Sequence, residues 1–174
     1  MLADMRERAR SEGGFTLIEL LVVMIIISIL MAVAVPTFLA QKNNAQKTKA
    51  TANIKQIVNA VEACASTNTD GTYTGCTDSA ALTTFEKGLK SIKFGAAPAV
   101  GTYSITPNGT QGYSVQTAIQ DGNKTVYFAE NHLEDGNLAK VCGGAAIAST
   151  ATTGAAVADS RTCPPGGANA GKWG

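Results

Sequence analysis

From Leu20 to Val35 the chain reads LLVVMIIISILMAVAV, a run in which Ser28 is the single polar residue. Extending it back to Phe15 adds Thr16 and one acid, Glu19, and as a helix the whole run would span about 30 Å, the thickness of a bilayer's hydrocarbon core. Thirteen side chains between Leu20 and Val35 are Leu, Ile, Val or Met. At the usual 1.5–3 kcal/mol for each fully buried side chain, leaving them in water would cost about 20–40 kcal/mol. A free monomer in water is therefore excluded, and the segment must sit in lipid, in an apolar pocket or against copies of itself. It is apolar all round and lacks a 3.6-residue stripe, which argues against the core helix of a soluble domain.

Outward towards the N-terminus lie Arg6, Arg8 and Arg10, offset by Asp4, Glu7 and Glu12. A secretory signal peptide would account for the arginines, the apolar run and the A-x-A pattern at Ala32-Val33-Ala34. The offsetting acids and Glu19 count against it, because charge is disfavoured in an apolar core region. A carboxylate in a spanning helix costs up to about 2.5–3.5 kcal/mol at the centre and less near the interface, so Glu19 is expected to have a partner. A cut between Gly14 and Phe15 would create an amino group four residues before it. In one helix the two charges would stand a turn apart; in a bundle the pairing could run between chains and fix their stagger.

The string Gly13-Gly14-Phe15-Thr16-Leu17-Ile18-Glu19-Leu20-Leu21, followed by the apolar run and Pro36, closely resembles the class III signal of type IV pilins and the related pseudopilins of type II secretion. The likeness covers the first fifty to sixty residues or so, beyond which it is architectural. It implies a leader over residues 1–14, cleavage by prepilin peptidase after Gly14, N-methylation of Phe15 and a subunit-assembly role for Glu19, paired with a neighbour's Phe15 amine. Pro36 would mark a kink or a loosened stretch, as its missing N–H and ring clash also predict. Many relatives carry glycine where this chain has Ser28, whose hydroxyl is expected to bond back to the preceding turn.

Past Pro36 the residues are helix formers without glycine or further proline, and Ala50, Ile54, Ile57, Val58, Val61 and Ala65 fall on one helical face. An unbroken helix from Phe15 to Ala65 would be about 76 Å long, with residues 15–35 fit for membrane or assembly and residues 36–65 for packing on a head. Lys42, Lys47, Lys49 and Lys55 read as a solvated face; anionic headgroups, nucleic acid or acidic patches on adjacent subunits are the functional alternatives. A short helix is predicted around Ala80 to Leu89. Strand-like runs follow at Thr102–Thr106, Gly112–Ile119 and Thr125–Ala129, separated by turn signals at Asn108-Gly109 and Asp121-Gly122-Asn123. The expected fold class is α+β: a long N-terminal helix packed on a small antiparallel β-meander, the head occupying residues 66–174.

Cys64, Cys76, Cys142 and Cys163 lie outside the apolar block without CxxC spacing, so zinc and redox catalysis are poor readings and two disulfides in an exported head are favoured. Three pairings can be drawn; proximity suggests Cys64 with Cys76 and Cys142 with Cys163. The second closes a C-terminal loop of Ala, Ser, Thr and Gly with no core of its own, a constraint worth about 3 kcal/mol.

The 174 residues are 45% hydrophobic and 16% charged, with a formal net charge of +1, which removes the electrostatic footprint of a duplex-binding domain. With one histidine, His132, no catalytic triad is credible, and Glu130, Glu134 and Asp135 are expected to be solvated. A calcium site at Asp135 and Asn137 lacks the ligand spacing of a known loop. Asn108-Gly-Thr and Asn123-Lys-Thr fit a glycosylation pattern but are explained by turn chemistry. No catalytic residue, metal, cofactor or small-molecule substrate is expected.

The first functional reading is a structural subunit of a type IV pilus, held in the inner membrane and polymerised by helix bundling into an extracellular filament serving attachment, twitching motility or DNA uptake. The resemblance implies as partners further copies of the chain in a helical filament, prepilin peptidase, an inner-membrane assembly platform and, before assembly, membrane lipid. Second stands a major pseudopilin of type II secretion, and third an exported soluble binding domain released after Ala34.

Overall fold

Spacing of three and four residues along Ala50, Ile54, Ile57, Val58, Val61 and Ala65 aligns these side chains on one stripe, and all six are buried together with Ala60 and Cys64. They belong to helix α1, Leu17–Ala65, whose backbone stays helical through Pro36. The computed structural model describes residues 14–152 together with Cys163 and Trp173. Residues 1–13 of the leader expected over 1–14 and the body of the closed loop at 153–162 lie outside the described residues. Two compact units are formed, Met1–Ala40 and Gln41–Gly174, so the second takes up the helix from Gln41 onward.

In the first unit, α1 presents its apolar side chains outward. An 18-residue window of the helix has a mean hydropathy of 3.0 and none of it is buried.

In the second unit a four-stranded antiparallel meander faces the stripe, in the order β1 (Ser104–Asn108), β2 (Gly112–Asp121), β3 (Lys124–His132) and β4 (Leu138–Gly143). Alternation places Tyr113, Val115 and Ile119 of β2, Val126 and Phe128 of β3 and Cys142 of β4 in one core with the α1 stripe. Pro107 lacks an N–H and sits in β1, at the edge of the sheet, where no ladder bond is lost on the open side. Gly122 turns the β2–β3 hairpin with φ +61°, a conformation that favours glycine.

The α+β expectation holds, with two refinements. A fourth strand, β4, continues the meander after the turn at Asp135-Gly136-Asn137. The helix expected from Ala80 to Leu89 is split into α2, Ser79–Phe85, and a 3-10 turn at Lys87–Ser91. Glu86 is extended between them, and its carboxylate accepts from the Gly88 N–H at 3.0 Å, so it starts the second turn instead of continuing the first.

The opposite face of the sheet is covered by the chain after β4. Ile147 joins Ala129, Ala139 and Val141 in a second, smaller core. Gln116 clamps Ile147 by accepting from its N–H at 3.2 Å and donating to its carbonyl at 2.5 Å. Asn131, fully buried, donates to the carbonyls of Ala148 and Ala151 at 3.1 and 2.7 Å and accepts from the Ser114 hydroxyl. These polar side chains replace the backbone partners that an irregular segment lacks.

Candidate functional site

Residues Gly14 to Thr16 precede the helix in non-helical conformation, and Phe15 is 88% exposed. Thr16 then caps α1. Its hydroxyl accepts from the Glu19 N–H at 3.3 Å, while its own N–H and hydroxyl both donate to Glu19 Oε2 at 2.9 Å. This is the reciprocal Thr-x-x-Glu capping box, which satisfies orphan donors of the first helical turn. Glu19 therefore has a partner inside its own chain, Thr16, a neutral donor at readable spacing instead of a counter-charge. Farther along, the Ser28 hydroxyl donates to the Met24 carbonyl at 2.7 Å, the back-bond expected of it. Pro36 removes the donor that would reach the Ala32 carbonyl, and the neighbouring Thr37 hydroxyl donates to the Ala34 carbonyl at 2.9 Å. Around these polar points the side chains of Leu17 to Val35 form an exposed apolar sleeve.

The head holds a second convergence of polar groups. Half-exposed Glu62, near the end of α1, accepts from the Tyr113 hydroxyl at 2.7 Å and the Tyr73 hydroxyl at 3.1 Å, and its Oε1 lies 3.3 Å from His132 Nδ1. The Tyr113 ring stacks on the His132 ring with centroids 4.3 Å apart. Burial, together with the Glu62 carboxylate that its hydroxyl serves, pushes the Tyr113 phenol well above its ordinary value; the same causes raise Tyr73 more gently. Glu130 corrects the sequence expectation: it is 4% exposed, not solvated, with Oε1 3.6 Å from His132 Nε2. The strand register turns its side chain to the α1 face, where the letters alone suggested a turn. Glu134 and Asp135 are exposed. Asp135 accepts from the N–H and side-chain amide of Asn137 at 3.0 and 2.8 Å, and the backbone bond foremost holds its carboxyl below the usual range. Among the described residues no group of three His, Cys, Asp or Glu side chains is arranged to hold a metal ion.

A family model of the prokaryotic N-terminal methylation motif matches residues 9–35, the stretch that holds the Thr16–Glu19 cap and the sleeve. Over 120 residues the chain is 38% identical to the type IV wide pilus major component PilA4 of Thermus thermophilus, which takes in 69% of this chain and 82% of that relative. The chain belongs to the type IV pilin family. No solved structure matches it. Pilins are structural, non-enzymatic proteins, and the head of this pilin carries devices that suit such a role. Cys64 is bonded to Cys76, tying the end of α1 to the loop that follows, with Cα atoms 5.6 Å apart. Cys142 of β4 is bonded to Cys163, Cα atoms 5.9 Å apart. The Trp173 indole N–H donates to the Ala129 carbonyl at 3.0 Å, and the Lys140 ammonium stands 5.6 Å above its ring. The chain after β4 is thus tied to the sheet both covalently and through an aromatic side chain. Of the lysines on α1, Lys42, Lys49 and Lys55 are exposed.

Proposed function

We propose that this pilin is held in the inner membrane by residues 15–35, processed there by prepilin peptidase between Gly14 and Phe15, methylated on Phe15 and polymerised by helix bundling into an extracellular filament. The observation that carries this reading is the wholly exposed apolar sleeve of α1, closed at its start by a single acid. Such a surface has two stable environments, lipid before assembly and the same surface of sibling chains after it. Glu19 would exchange its Thr16 donors for the Phe15 amine of a neighbour, a charge-assisted bond stronger than a neutral one in an apolar bundle. Pro36 would loosen the helix locally as subunits pack. Attachment, motility and DNA uptake would be properties of the polymer, driven by a motor outside this chain.

Mass spectrometry of the mature protein tests the processing: a methylated Phe15 start is expected, whereas a start at Val35 would mean that the sleeve is discarded. Long surface fibres that disappear when the chain is deleted are expected of a pilus; a chain needed only for export of cargo, without such fibres, would make it a pseudopilin.

A further inference from the structure

In the second unit, three large apolar side chains stand exposed among the described residues: Phe85, Val100 and Leu138. Two of them sit in oppositely charged settings. Val100 rims a groove of about 300 Å³ whose walls include Gln46, Lys49 and Asn53 of α1 and Lys93, and whose floor includes Ile92 and Ile119. Among the described residues no acid lines this groove, and α1 from Gln41 to Val61 carries four lysines and no acid. Gln46 Oε1 is buried in the wall and has no hydrogen-bond partner among the described residues. Leu138 opens β4 just after the exposed β3–β4 turn that carries Glu134 and Asp135.

These features lie at opposite ends of the head. The turn follows His132, which stands against Glu62, while the groove takes its α1 wall from Gln46 to Asn53. Thirteen residues separate Lys49 from Glu62, about 20 Å along the helix. Two different patches that complement each other on one molecule make a heterologous contact, and repeating that contact builds an open filament instead of a closed dimer.

We infer that the Lys49–Lys93 groove receives the Leu133–Leu138 segment of a second copy, with Leu138 against Val100 and with Glu134 and Asp135 against the two lysines. The inference rests on the filament reading above and adds the head-to-head contact to it. Charge pairs of this kind fix register and reject wrong alignments more than they add affinity, which is what a filament of otherwise uniform greasy helices requires.

The test uses the full chain in cells that display fibres. Reversing the groove, Lys49→Glu with Lys93→Glu, should lower the yield of sheared fibres by about tenfold, as should Glu134→Lys with Asp135→Lys, because each sets like charges face to face. Combining all four should restore the yield. Unmodified fibres treated with a carbodiimide should give an amide between Lys49 or Lys93 of one copy and Glu134 or Asp135 of another, read by mass spectrometry without any variant. Normal fibres from both reversals, or a combined variant no better than either pair, would overturn the contact, as would inter-subunit cross-links at other sites with none here. Absence of fibres from the unmodified chain would instead overturn the filament reading and the contact with it.

Discussion

Glu19 is held by two donors from Thr16, so its carboxylate need not wait unpartnered for assembly. A Glu19→Ala chain should still insert in the membrane, since removing an acid makes the sleeve more apolar, yet fibre growth should fail; normal fibres by electron microscopy would refute the pairing role. Thr16→Ala should weaken the start of the helix by about 0.5–2 kcal/mol, with Thr16→Ser retaining most of the cap. The cluster around Glu62 makes a separate prediction. Tyr113 has its ionisation raised by burial, so the folded state keeps the proton that the unfolded chain surrenders near pH 10. Stability is then independent of this group below about pH 10 and falls as pH rises further, because the unfolded state binds fewer protons. Tyrosinate absorbance should appear together with loss of the fold, and Tyr113→Phe should make the alkaline decline shallower. The Thr16-x-x-Glu19 box was legible in the letters. The Glu62 cluster was not, because residues 62, 73, 113, 130 and 132 meet only through strand register.

Among the elements, α1 was readable since its period runs over many turns, and the first three strands since β-branched and aromatic residues alternate between turn signals. β4, LAKVCG, has only one β-branched residue and carries a lysine and a glycine in its six positions, so propensity alone does not mark it. What makes it a strand is tertiary: β3 offers an open edge, and Phe128 pairs with Cys142, which is bonded to Cys163. Removing that bond with Cys142→Ala and Cys163→Ala should cost about 3 kcal/mol, measured by denaturant unfolding in detergent. The segment after β4 depends on side-chain clamps. Asn131→Ala deletes two donors to the carbonyls of Ala148 and Ala151 and orphans part of Ser114, a loss of about 1–3 kcal/mol. Hydrogen exchange at residues 144–151 should quicken while β2 and β3 keep their protection, since their ladder is untouched.

At the scale of the whole molecule the sequence divides by solvent. Phe15 to Ala40 expose a surface that water rejects, and residues from Gln41 onward bury their own stripe against a sheet. A mutation in the sleeve should therefore change assembly and one in the core of the second unit stability, with little exchange between them. We expect a chain beginning at Gln41 to fold alone: it keeps the α1 stripe from Ala50 to Ala65, all four strands and both disulfides, and loses no residue of either core. Light scattering in plain buffer should find it monomeric with a single cooperative unfolding transition. The chain beginning at Phe15 should require detergent or form higher assemblies. If that longer chain proved monomeric in buffer, the sleeve would have found cover within its own molecule, and the helix-bundling mechanism would lose its driving force.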